Sequence, residues 1–161
     1  MPEAPKFELS IPGRAPLCLK HLVLDYNGTM ACDGQLLPEL IPQLNALAQQ
    51  LTVHVLTADT HGTVANHVTS LPVKLVVIPP NNQTQAKQEY IHQLGCAHCI
   101  AIGNGINDEL MLHDAAIGIA IMHHEGVALS TLQGADIAIN SCHCALELLL
   151  KPTRLIATLR C

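Results

Sequence analysis

The segment His21-Leu-Val-Leu-Asp-Tyr-Asn-Gly-Thr-Met-Ala-Cys-Asp33 organises the chain. An apolar run, Leu22-Val23-Leu24, stops at Asp25, and Asn27-Gly28-Thr29 follow almost at once. Short buried strands read this way, and Asn-Gly after one marks a sharp turn. Asp25 is therefore expected at the carboxyl end of a strand, where open α/β sheets bind their ligands. A carboxylate there, beside a turn with free backbone N–H groups, can hold a cation, attack phosphorus, or do both. A turn-initiating Asp with no chemistry looks the same locally, so the rest of the chain must decide.

Apolar segments alternate with helical ones along the whole sequence. Strand candidates are 17–25, 51–56, 73–78, 99–102, 116–121 and 137–139. Helix candidates are 39–50, 61–70, 83–94, 107–113, 125–132 and 142–150. Pro38 ahead of the first helix and Gly95 after the third are the usual punctuation. Alternation with apolar strands predicts a three-layer, Rossmann-like α/β domain on a mainly parallel sheet. Residues 1–16, with Pro2, Pro5, Pro12, Gly13 and Pro16, predict an irregular or edge-strand lead-in. No repeat, linker or low-complexity segment divides residues 1–161, so a single domain is expected.

Composition narrows the partners. Hydrophobic residues make up 49% of the 161 and charged ones 13%, so some apolar surface is expected to be hidden in a homo-oligomer. The net charge of −5 and the lack of a Lys/Arg cluster argue against nucleic acid. No apolar run reaches membrane-spanning length, and Met1-Pro-Glu-Ala-Pro5 lacks the features of a signal peptide. Seven cysteines, an odd number, read as reduced thiols of a cytoplasmic protein.

Polar residues recur at the ends of successive strands. Asp25 and Asn27 follow the first, and Thr57, Ala58 and Asp59 the second. Asn82-Gln-Thr84 precede the third helix, with Lys87 in its first turn, and Gly103-Asn-Gly-Ile-Asn-Asp108 follow the fourth strand. All should gather on one rim of the sheet. Carboxylates, a hydroxyl and an ammonium suit a phosphate bound with Mg²⁺.

Asp25-Tyr-Asn-Gly-Thr29, Leu56-Thr-Ala-Asp59, Lys87 and Gly103-Asn-Gly-Ile-Asn-Asp-Glu-Leu110 resemble the four ordered motifs of the haloacid dehalogenase superfamily. The nearest flavour is the phosphorylation domain of P-type ATPases. Ala116-Ile-Gly-Ile-Ala120 and Gly134-Ala-Asp-Ile-Ala138 continue the likeness, which covers roughly residues 20–160. The resemblance implies a Mg²⁺-dependent phosphohydrolase in which Asp25 becomes an aspartyl phosphate. It implies that Thr57, Ala58, Lys87 and Asn107 hold the phosphoryl group. It places Asp25, the backbone carbonyl of Asn27, Asn104 and Asp108 on the metal.

Three departures qualify this. Asn27 stands where related phosphatases have the Asp that serves as general acid and base, a role worth about 10²–10⁴-fold, so turnover should be slow. Asn104 stands where an Asp usually contacts Mg²⁺, which should weaken the metal. The segments between Asp25, Thr57 and Lys87 leave no room for a cap domain or a nucleotide domain. The site should then be open, for a macromolecular substrate or a neighbouring subunit acting as a lid. The spacing Asp25…Gly28…Asp33-Gly34 is similar to that of capless sugar-phosphate phosphatases, which work as tetramers.

Asp59 is expected to cap the next helix, while Tyr26 and Glu109 have no evident role. Cys96-Ala-His-Cys99 and Cys142-His-Cys144 would form a zinc site only if they converged, and read better as buried thiols. His123-His-Glu125 reads as surface. Two rivals remain. A non-catalytic binding or regulatory protein would tolerate Asn27 and Asn104. A receiver-type domain shares the acceptor Asp, Thr and Lys, but the paired acidic residues expected before its acceptor strand are missing here, and it does not explain Gly103-Asn-Gly-Ile-Asn-Asp108.

Overall fold

The computed structural model describes residues 7–59 and 61–161. Part of the lead-in, residues 1–6, lies outside them. From Phe7 the chain is regular: β1 (Phe7–Leu9) and β2 (Leu17–Leu19) form an antiparallel hairpin. The alternation Phe7-Glu-Leu9 turns both apolar side chains inward, so this is strand rather than irregular chain.

The strand expected over 17–25 divides at Lys20. β2 pairs with β1, while β3 (His21–Asp25) enters the main sheet. β4 (Ala31–Cys32) and β5 (Gln35–Leu36) follow as a second small hairpin. Its turn is Asp33-Gly34 with both φ positive, at 51° and 77°, the pair a tight hairpin requires. α1 (Ile41–Leu47), β6 (Thr52–Thr57), α2 (Thr63–Val68) and β7 (Val73–Val77) come next. α1 is shorter than expected because Pro38–Leu40 form a 3₁₀ turn and residues 48–50 leave the helix. α3 (Gln83–Leu94) has its expected bounds, which puts Lys87 in the second turn.

β8 (Cys99–Gly103), α4 (Glu109–Asp114), β9 (Ile117–Ile121), α5 (Leu129–Gly134), β10 (Ile137–Ile139) and α6 (Cys142–Leu150) follow. A last helix, α7 (Pro152–Leu159), escapes the sequence reading. Pro152 opens it, and Leu155 and Leu159, four apart, are buried.

The six-stranded sheet is parallel throughout, in the order β10-β9-β8-β3-β6-β7. On one face Leu22, Leu24, Val53, Val55, Ile100 and Ile102 pack with α1, α6 and α7. On the other, Val23, Leu56, Cys99 and Ala101 pack against Ile91 of α3 and Met111 and Leu112 of α4. The chain runs outward from β3 through β6 to β7, then resumes at β8 on the opposite side of β3. The strand order therefore reverses beside Asp25, where a crevice must open.

Candidate active site

Asp25 ends the central strand and is 6% exposed. Its Oδ1 accepts a hydrogen bond from Lys87 Nζ at 2.7 Å, and its Oδ2 has a longer one, 3.4 Å, from the Thr29 hydroxyl. Lys87, 1% exposed, also donates to Asp108 Oδ1 at 2.7 Å. One ammonium thus lies between two buried carboxylates from separate strand ends. Burial and the Asp108 charge push Asp25 up to about 7, against the pull of Lys87. Burial opposes the charge on Lys87, but the two carboxylates outweigh it and raise its pKa.

Asp108 lies beneath the cleft floor. Its Oδ2 accepts the backbone N–H groups of Asn104 (3.0 Å) and Gly105 (3.1 Å), and its Oδ1 is taken by Lys87. This folding back needs Gly103, where a Cβ would lie 2.4 Å from Asp108 Cγ. Both oxygens of Asp108 are therefore committed to shaping the loop and holding Lys87.

Asn104 has a definite orientation. Its Nδ2 donates to Gly126 O at 3.1 Å, which leaves Oδ1 facing the Thr29 hydroxyl at 3.5 Å. Gly28 makes room for it: φ there is +77°, and a Cβ would sit 2.4 Å from Asn104 Nδ2. Thr57 ends β6, buried, its hydroxyl accepting the Asp59 N–H at 3.1 Å. Asp59 accepts the N–H groups of His61 and Val64, both at 2.9 Å, and so caps the approach to α2.

A cleft of about 440 Å³ opens over these groups. Asp25, Asn27, Thr57, Ala58, Lys87, Asn104 and Asn107, all singled out from sequence, line it; Asp108 does not. Asp59, Gln83 and Gly105 complete the lining. The sequence places Gln83 on this rim, within Asn82-Gln-Thr84, without a role of its own. It accepts from Asn107 Nδ2 at 2.9 Å and donates to Pro80 O at 3.0 Å, which fixes Asn107. Thr131, which sequence reasoning missed, is fully buried and ties α5 to the loop by donating to Gly105 O at 2.7 Å. Tyr26 gains a place as well: its hydroxyl contacts His67 Nδ1 at 2.7 Å and Gly34 O at 3.2 Å, joining the β4–β5 hairpin to α2.

The cysteines are free thiols, and burial pushes Cys99 and Cys142 up to about 12. Among the described residues, no three His, Cys, Asp or Glu side chains are grouped to hold a metal by themselves. No helix is long and apolar enough to cross a membrane.

No family model matches this sequence. An uncharacterised protein of Methanocaldococcus jannaschii is 48% identical over 61 residues, which are 38% of this chain and 66% of that one. Among solved structures, the 3-deoxy-D-manno-octulosonate 8-phosphate phosphatase of Moraxella catarrhalis, bound to magnesium, phosphate and its sugar acid, superposes with a TM-score of 0.70. That match has 18% identity and covers 88% of this chain and 94% of the phosphatase. A zinc-transporting P-type ATPase in its E2P state matches with a TM-score of 0.58 and 24% identity, over 76% of this chain and 20% of the pump. The chain has the fold of the haloacid dehalogenase superfamily. Among the described residues no cap domain is inserted: the β4–β5 hairpin, a 3₁₀ turn and α1 separate β3 from β6, and α2 and β7 separate β6 from α3.

Proposed function

We propose that this cleft hydrolyses phosphomonoesters through an aspartyl phosphate on Asp25, assisted by a divalent cation. The observation that carries the reading is the buried Lys87, lining a polar cleft and held 2.7 Å from both Asp25 and Asp108. An ammonium so placed orients the nucleophile and offsets phosphoryl charge.

The donor set fits a hard cation. Two buried carboxylates share one ammonium, so one negative charge lacks a partner, and Asn104 turns its amide oxygen, not its NH₂, toward the Thr29 hydroxyl that also contacts Asp25. Asp25, Asn104 and the main-chain carbonyl of Asn27 would hold the ion. A bound Mg²⁺ would neutralise phosphoryl oxygens and keep Asp25 ionised. Asp108 serves better as the anchor of Lys87 and the loop than as a ligand, because both of its oxygens are occupied.

In the first half-reaction an Asp25 carboxylate oxygen attacks phosphorus as the ester P–O bond breaks. Thr57, Lys87 and Asn107 bind and orient the phosphoryl oxygens. The Asn27 amide transfers no proton, so the departing alkoxide takes one from water. In the second, water attacks the acyl phosphate, its proton passes to solvent, and Asp25 returns with inorganic phosphate released. Good leaving groups should therefore be preferred.

The test is p-nitrophenyl phosphate hydrolysis with and without Mg²⁺, wild type beside Asp25→Asn. Activity that requires Mg²⁺ and disappears in the variant supports the proposal; activity that persists in Asp25→Asn refutes it. Asn27 and Asn104 favour a second reading, a regulatory or binding protein that retains phosphate affinity with little or no turnover. A folded protein that binds phosphate but releases no p-nitrophenol would establish that alternative.

A further inference from the structure

The chain contains eight Lys and Arg residues, and their placement is uneven. The loops that follow the parallel strands form the rim around Asp25. They are residues 26–40 after β3, 58–62 after β6, 78–82 after β7, 104–108 after β8, 122–128 after β9 and 140–141 after β10. None of these loops contains a lysine or arginine. Among the described residues, Lys87 is the one cation lining the cleft, and it is 1% exposed and already engaged by two carboxylates. Arg14 lies in the β1–β2 hairpin, Lys20 precedes β3, and Lys151, Arg154 and Arg160 belong to the C-terminal helices and their ends.

Acidic residues show the opposite bias. Asp33, Glu39, Asp59 and Glu125 sit in the same loops, joining Asp25 and Asp108. The other cleft-lining side chains, Asn27, Gln83, Asn104 and Asn107, are neutral amides that can donate to and accept from hydroxyl groups. Beside the cleft, Ile106 is 64% and Leu129 73% exposed. Two carboxylates, Asp25 and Asp59, line the cleft and a third, Asp108, lies beneath its floor; against the three stands the single ammonium of Lys87. A bound divalent cation would only balance them before any substrate charge arrived.

We propose that the cleft takes phosphomonoesters whose leaving group is uncharged, such as a polyol or neutral sugar, and discriminates against a second phosphate or carboxylate. The proposal deepens the phosphohydrolase reading and rests on it. Among the described residues a buried second anion here would find no free cation and several carboxylates nearby, so repulsion disfavours it both on approach and once bound. The amides and the apolar lip offer hydroxyl recognition and apolar contact instead.

Glucose 6-phosphate and 6-phosphogluconate form a matched pair, since both carry phosphate on a primary alcohol and only the second has a carboxylate. The assay runs at pH 8, where ordinary imidazoles are uncharged, because His61, His123 and His124 lie on this rim. The expected kcat/KM favours glucose 6-phosphate by at least about tenfold at low salt, and the preference shrinks in 0.5 M NaCl as screening grows. Ile106→Lys, which adds a cation at an exposed lip position, should narrow the ratio of the two kcat/KM values about threefold or more. Equal use of the two esters, or a preference for 6-phosphogluconate, overturns the proposal.

Both esters are also ranked by protection of the protein from thermal unfolding in Mg²⁺. Failure of p-nitrophenyl phosphate hydrolysis would remove the phosphohydrolase reading, while the protection ranking still decides the ligand class. Stronger protection by glucose 6-phosphate supports it; equal or stronger protection by 6-phosphogluconate, or none by either, overturns it.

Discussion

Under the proposed phosphohydrolase mechanism, Asn27 and Asn104 stand where the motif resemblance implies aspartates, keeping their size and removing their charge. At Asn27 the loss is kinetic. An amide cannot protonate a departing alkoxide or take a proton from water, so both half-reactions lose their acid–base catalyst. Asn27→Asp should raise kcat for an alkyl phosphate by at least about tenfold, toward the range of general acid–base catalysis. Steady-state assays decide this, and an unchanged or lower kcat counts against the role given to Asn27. At Asn104 the loss is in cation affinity. Asn104→Asp adds a carboxylate where Oδ1 already faces the Thr29 hydroxyl, and should lower the Mg²⁺ concentration for half-maximal activity by about tenfold. A Mg²⁺ titration of the variant that overlays wild type would show that Asn104 does not face the ion.

α3 carries Lys87 at one end of its buried face and Tyr90 one turn further on, and both positions are fixed by hydrogen bonds to the sheet. His54 of β6, 2% exposed, contacts Tyr90 Oη at 2.7 Å and His21 Nδ1 at 3.1 Å. Burial, then the charges of His21 and Lys74, lower His54 to about 4 from 6.5. Between pH 6.5 and 4 the unfolded chain binds this proton and the folded chain does not. The His54 contribution is complete above pH 6.5 and is lost as pH falls toward 4, by up to about 3 kcal/mol. Asp25, raised in the native state, acts in the opposite sense over an overlapping range. The useful quantity is therefore the difference between wild type and His54→Gln, in which Asp25 cancels. Urea midpoints from pH 7.5 to 4.5 should fall more steeply for wild type; parallel curves would mean that His54 titrates normally.

Across the whole molecule, the Asp25–Lys87–Asp108 cluster joins three distant parts of the chain, the end of β3, α3 and the loop after β8. Its residues are 62 and 21 positions apart. Lys87→Met would leave two buried carboxylates without a counter-charge, at a cost of about 3–5 kcal/mol. In a domain of this size that lowers Tm by roughly 10 °C. Calorimetry at pH 8 without divalent cation reads the shift. Adding Asp25→Asn to the variant should recover part of the loss, because one unpaired charge goes with it. A double variant no more stable than the single would place the cost in packing rather than charge.

The periodicity of apolar runs, and the polar residue ending each one, were enough to give a parallel α/β sheet with its site on the carboxyl rim, since both are properties of short stretches of chain. Asp33-Gly34 and Pro152 are local turn and helix-start signals that the sequence reading did not use, and the hairpin and α7 that they open became evident only once packed. The division at Lys20 had no local cue, because pairing with β1 on one side and β6 and β8 on the other depends on strands far away in sequence. The same holds for Asp108. Sequence puts it in a metal-binding loop, but its direction depends on Gly103, the loop amides and Lys87, which are brought together only by folding. Sequence determined which groups reach the rim; tertiary structure decided which face the cleft, because a side chain's direction and its remaining hydrogen-bond capacity are set by neighbours from other segments.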